Sequence, residues 1–298
     1  MKKNLFSLTA AASVALAGGA SAAITLDGQG IPSEGLALLA TQSDPTTFGD
    51  AVGGGQDSAG GGELNQIFGG FDAMTGKIEL GITGNVEGNF NKLWVFFDAV
   101  AGGENVLLND NADGGFGEIN NMAGLTFDAG FTADHGLRFE VGDGFFGVNR
   151  FDLIDNTGSS VVSGGGPGDL PLSDGNAGGD VVVGWDNSNV LGVDGASAAG
   201  AATATTGIEL SIDVAALFGA AQSDVNIAVF YGNGDGSFIS SQVLAPSATG
   251  DNLGTSSAID FSGIAGNQFV TISNVPEPAS LALVALGGVA MLGRRRSA

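Results

Sequence analysis

The chain has 298 residues, 43% of them hydrophobic, which is enough for one large β domain or two small ones. Away from its two ends it is strongly acidic: residues 23–274 hold 31 Asp and Glu against Lys77, Lys92, Arg138 and Arg150, a net charge of −27. Such a surface repels phosphate backbones and argues against nucleic-acid binding, and the lack of cysteine excludes thiol catalysis, disulfides and Cys-based zinc sites.

In chain order, the first 22 residues have the three parts of a secretory signal. Lys2 and Lys3 are the charged region, Leu5 to Ala17 the apolar stretch, and Ala20-Ser21-Ala22 the small-x-small site read by signal peptidase. Cleavage there would make Ala23 the new N-terminus.

The body, residues 23–274, reads as short strands joined by turns. Its many glycines (53 in the whole chain) suit turns and not helix interiors. In Lys77–Thr83, Ile78, Leu80 and Ile82 alternate with Glu79, Gly81 and Thr83, which predicts a strand with one dry and one wet face. The continuous apolar run Leu93–Phe97 suits a strand buried on both faces and places Trp94 in the core. Leu137, Phe139 and Val141 alternate with Arg138 and Glu140, and Ile208, Leu210 and Ile212 with Glu209, Ser211 and Asp213. Asp213 is a candidate cap for one helical turn, Val214 to Phe218, ended by Gly219. Val225–Tyr231 and Phe238–Leu244 read as a hairpin across a Gly/Asn/Asp turn. The glycine runs at 53–55, 60–62 and 164–166 read as surface loops. The expected fold is an all-β antiparallel sandwich of jelly-roll type.

Few residues in the body suggest chemistry. Asn109, Asn111 and Asp113, followed by Gly114, echo the first half of a calcium loop, in which alternate residues supply oxygen ligands. The echo is incomplete, since Asn120 at the twelfth position cannot supply a bidentate carboxylate and Glu118 comes two residues early. An ordinary Asn/Asp/Gly turn has the same letters. His135 is the only histidine, so a three-histidine metal centre is excluded. His135-Gly136 reads as a turn, and adjacent Asp134 is poorly placed to orient the imidazole, because strand neighbours face opposite ways. Trp185, at a strand end between Gly184 and Asp186, is a candidate stacking surface for sugars, against the alternative of a packing residue. No catalytic residue and no resident cofactor is expected, with calcium as the one ion the composition invites. A glycan hydrolase using paired carboxylates has no positive support in the sequence.

At residues 275–298, Val275-Pro276-Glu277-Pro278 precedes an apolar run from Ala279 to Gly293, and Arg294, Arg295 and Arg296 follow. The run would be roughly 22 Å long as a helix, short against a hydrocarbon core of about 30 Å. The arginines would hold its end in the cytoplasm. This segment resembles the PEP-CTERM sorting signal of Gram-negative bacteria. The resemblance implies transient insertion in the inner membrane, cutting by an exosortase, and release to the cell surface or the exopolysaccharide matrix of a biofilm. The body resembles the DOMON and family-9 carbohydrate-binding sandwiches in pattern, through a Gly70-Phe71-Asp72 turn before the Lys77 strand and through Thr206–Asp213. The resulting expectation is a non-catalytic surface or matrix protein, structural or adhesive, with signal peptidase and exosortase as processing partners. A carbohydrate- or calcium-binding module is the alternative, with extracellular polysaccharide as its partner.

Overall fold

The computed structural model describes residues 24–46, 48, 62–112, 117–142, 145–165, 172–173, 180–220, 222, 224–245 and 251–273. The strands among them are, in chain order, β1 (Ala37–Thr41), β2 (Glu63–Asp72), β3 (Lys77–Asn85), β4 (Asn89–Asp98), β5 (His135–Gly142), β6 (Phe145–Asp152), β7 (Thr157–Gly165), β8 (Leu172–Ser173), β9 (Val181–Trp185), β10 (Gly207–Asp213), β11 (Asp224–Gly232), β12 (Phe238–Val243), β13 (Gly254–Thr255) and β14 (Val270–Ser273). They form two antiparallel sheets. The first has the order β1-β2-β3-β10-β9-β8 and the second β13-β12-β11-β4-β5-β6-β7. β14 pairs with the first half of β11, and β12 with the second half.

The fold is the all-β sandwich expected from the alternation. Ile78, Leu80, Ile82, Ile208, Leu210 and Ile212 of the first sheet share a core with Leu93, Val95, Phe97, Leu137, Phe139 and Val141 of the second. Lys77–Asn85 pairs with Gly207–Asp213 in register, Leu210 opposite Leu80, so the two apolar rows coincide on one face. The Val225–Tyr231/Phe238–Leu244 hairpin forms as β11 and β12. The short helix also forms: α1 (Val214–Phe218) is capped by Asp213, whose Oδ1 accepts from Ala216 N at 3.0 Å, and ends at Gly219, where φ of 73° favours glycine.

The wet faces are the main departure. Every residue of β5 is buried, and of β3 all but its first. The outer face of the second sheet carries its own apolar layer. Trp94, Phe96, Phe151 and Phe230 pack under Leu107, Ile119, Leu125 and Phe127 of the β4–β5 connection and under Ile259 and Phe261. Arg138 is therefore fully buried. It bonds Glu118 and Asn149, and Glu140 bonds Lys92, so the charges are held within one network. On the outer face of the first sheet lies the segment 24–36. Ile31, 1% exposed, sits on Gly81, where a Cβ would come within 2.4 Å of its Cγ2. The segment is laced to β10 by Gly207 N to Gly28 O at 2.9 Å and extends to Ile31 N to Thr205 O at 3.1 Å.

Three local expectations are corrected. Gly70-Phe71-Asp72 ends β2, and the turn falls at residues 73–76, because pairing with β3 continues to Asp72–Lys77. Gly164 and Gly165 belong to β7 and not to a loop. His135-Gly136 opens β5 and is no turn, since His135 pairs with Phe97 on one side and Asp152 on the other. The glycine run at 53–55 lies outside the described residues, as do Gly60, Gly61 and Gly166.

Candidate functional site

A cleft of about 320 Å³ opens beside the edge strand β7, where β5 and β6 meet α1. His135, Arg150, Asp152, Thr157 and Leu217 are among its walls. The strand period explains the grouping. Arg150 and Asp152 are two residues apart on β6 and share a face, and the register sets Asp152 directly opposite His135. α1 supplies Leu217 and Ala216, and its Phe218 ring packs on the imidazole, centroids 5.4 Å apart.

The polar groups here are fixed but not saturated. Asp152 Oδ1 accepts from Ile154 N at 2.8 Å and Asp155 N at 3.0 Å, which sets the carboxylate's orientation. Its Oδ2 lies 3.7 Å from His135 Nδ1, beyond hydrogen-bond reach, and that buried nitrogen has no hydrogen-bond partner among the described residues. Burial holds the imidazole pKa below its ordinary 6.5, against the pull of Asp152, so it is neutral at neutral pH. Arg150 Nη1 reaches Asp180 Oδ2 at 3.2 Å and ties β6 to the start of β9 in the other sheet. Asp134, the sequence neighbour, turns away: its Oδ2 accepts from Ala99 N at 2.6 Å and Val100 N at 2.8 Å, and burial raises its pKa to about 6.

A second titratable group lies under the segment 24–36. Glu209, fully buried on β10, accepts from Asp27 N at 2.9 Å and Gly28 N at 2.6 Å through Oε2. The Glu34 side chain is its acidic neighbour. Burial, and next the bond with Glu34, push its pKa up to about 9. Glu209 therefore keeps its proton at neutral pH. Glu79, diagonal to Glu209 on β3, is raised by burial as well and accepts from Ser211 Oγ at 3.0 Å.

The residues singled out from sequence are scattered. Trp185 is 6% exposed and stacks on Phe146 with centroids 4.4 Å apart and planes 3° apart. Of the two alternatives, the candidate sugar platform gives way to the packing residue, because β9 turns this position into the inter-sheet core. Trp94 is fully buried. Asn109 is exposed and Asn111 buried. Asn111 is stitched into its own turn: its Nδ2 donates to Glu104 Oε2 and Leu108 O, both at 3.1 Å, and it exchanges backbone bonds with the Asn120 side chain at 2.9 Å. Asp113, the third candidate calcium ligand, lies outside the described residues. Among the described residues no three His, Asp or Glu side chains are arranged to hold a metal. The sequence reading missed the His135–Asp152 pairing and the Glu34–Glu209 pair. The alternation of Glu209 was visible, but not that another segment would cover its face.

The signal-cleavage residues Ala20, Ala22 and Ala23, and the tail residues Pro276, Glu277, Pro278, Arg294, Arg295 and Arg296, lie outside the described residues. Among the described residues no helix is long and apolar enough to cross a membrane. The family model for the PEP-CTERM protein-sorting motif matches residues 274–296, which contain the tripeptide, the apolar run and the arginines. No curated protein matches the chain, and no solved structure does, so the likeness of the body to DOMON and family-9 sandwiches gains no support. The matched motif implies export, membrane-anchored sorting and cutting by an exosortase: the chain carries a PEP-CTERM protein-sorting motif at residues 274–296.

Proposed function

We propose that the released body is a non-catalytic, structural or adhesive protein of the cell surface or the exopolysaccharide matrix. The observation that carries this reading is the sorting motif at 274–296 joined to a thick acidic sandwich. A body with a net charge of −27 stays soluble and resists self-association once cut free. Export through signal peptidase would precede sorting.

The test is the intact mass and location of the protein in its native cells, beside a Pro276→Ala/Glu277→Ala/Pro278→Ala variant. A surface or matrix product lacking both ends, with the variant retained uncut in the inner membrane, supports the reading. A wild-type product that keeps its C-terminal mass in the membrane fraction refutes release. A second reading, a binding module, is favoured by one observation, the polar cleft at His135 and Asp152.

A further inference from the structure

We infer that the cleft between β7 and α1 is a binding site for a neutral sugar ring. The inference deepens the binding-module reading and rests on it. The volume, about 320 Å³, is at the small end of the roughly 300–1,000 Å³ usual for ligand sites and suits one ring better than a chain segment.

The lining selects the chemistry. Asp152 only accepts hydrogen bonds, Arg150 only donates, and the neutral His135 and Thr157 do both. A ligand that meets all four needs groups that donate and accept at the same atom, and hydroxyls do this. The 3.7 Å between His135 Nδ1 and Asp152 Oδ2 is too long for a direct bond. One hydroxyl oxygen at ~2.8 Å from each would bridge it. Arg150 and Asp152 are adjacent on one face, a spacing that two neighbouring hydroxyls can match. Ala216 and Leu217 offer an apolar wall for the C–H face of a ring. Charge argues against an acidic ligand. Arg150 is already engaged by Asp180, Asp152 adds a second negative charge, and the whole body is acidic.

The single histidine makes the test direct, because its imidazole signals need no assignment. The full chain, purified in mild detergent without a histidine tag and ¹⁵N-labelled, would be titrated with neutral methyl hexosides and their short oligosaccharides, and in parallel with glucuronate. Saturable movement of the His135 signals by at least one neutral sugar, weakened tenfold or more by Asp152→Asn and by Thr157→Val, is expected. Asp152→Asn keeps the acceptor for Ile154 and Asp155, and Thr157 is exposed, so both variants should fold; an unchanged thermal melt verifies it. No movement with any neutral sugar, movement with glucuronate alone, or movement that both variants leave intact each overturns the inference. Location in native cells is scored separately. Surface release with an inert cleft would sink only the sugar site, and a sugar-binding cleft on an uncut membrane protein would sink only the matrix reading.

Discussion

Replacing Glu209 by Gln should stabilise the protein at mildly alkaline pH, which is unusual for a buried charged residue. The folded chain keeps Glu209 protonated up to about pH 9, whereas an unfolded glutamate loses its proton near 4.5. Between those values the folded state binds more protons than the unfolded one, so wild-type stability falls as pH rises through this window. At pH 7.5 the three units of difference correspond to about 4 kcal/mol at ~1.4 kcal/mol per unit, and structural relaxation would leave roughly half, ~2 kcal/mol. Glutamine avoids this cost. Its oxygen can still accept from Asp27 and Gly28, and its amide can donate to Glu34 without a borrowed proton. For a body of this size, ~2 kcal/mol is a rise in Tm of about 4–8 °C. Thermal unfolding of wild type and Glu209→Gln, followed by circular dichroism from pH 5 to 8.5, would show two curves that nearly meet at pH 5 and diverge above it. Parallel pH profiles, or a variant no more stable at pH 8, would refute the retained proton on Glu209.

Three further outcomes follow from the same structure. Arg138→Met removes one of the two cations that face Glu118 and Glu140 and leaves Lys92 to face both acids; it should cost about 3–5 kcal/mol, seen as a lower urea midpoint at unchanged slope. Trp185→Ala removes half of the Phe146 stack and should cost about 3–5 kcal/mol without changing sugar binding per folded molecule, measured by urea unfolding beside the imidazole titration. His135 should titrate below 6.5 by NMR. Because its folded pKa is depressed, the linked stability is present above 6.5 and is lost as pH falls through the folded pKa, so acid unfolding should come at lower pH in His135→Gln, which has no proton to take up.

How much was legible can be argued from particular strands. Lys77–Asn85 and Gly207–Asp213 were readable because a period of two places Ile78, Leu80 and Ile82 on one face whatever their neighbours, and Leu93–Phe97 because a continuous apolar run needs cover on both sides. Asp213 and Gly219 declared α1 by local hydrogen bonding and backbone preference alone. The sorting motif was legible for the same reason: its tripeptide, apolar run and arginines are contiguous, and they are read in order along the chain.

Covering is non-local, and there alternation misled. Glu79, Glu209, Arg138 and Glu140 have the spacing of solvated residues, yet the segment 24–36 and the β4–β5 connection bury them. Nothing near them in sequence signals this. Trp185 was ambiguous between platform and core until β9 was seated beside β10 and its ring met Phe146. The cleft is the extreme case, because His135, Asp152, Thr157 and Leu217 come from three strands and a helix, and only the β5–β6 register makes the first two neighbours. The sequence by itself determined the strands with clear alternation or a continuous apolar run, where α1 begins and ends, and the presence of the sorting motif, since each depends on contacts within a few residues or on a contiguous signal. Tertiary structure alone decided which faces are dry, which carboxyl is buried with its proton and where the cleft opens, because those properties depend on what a distant segment places against the strand.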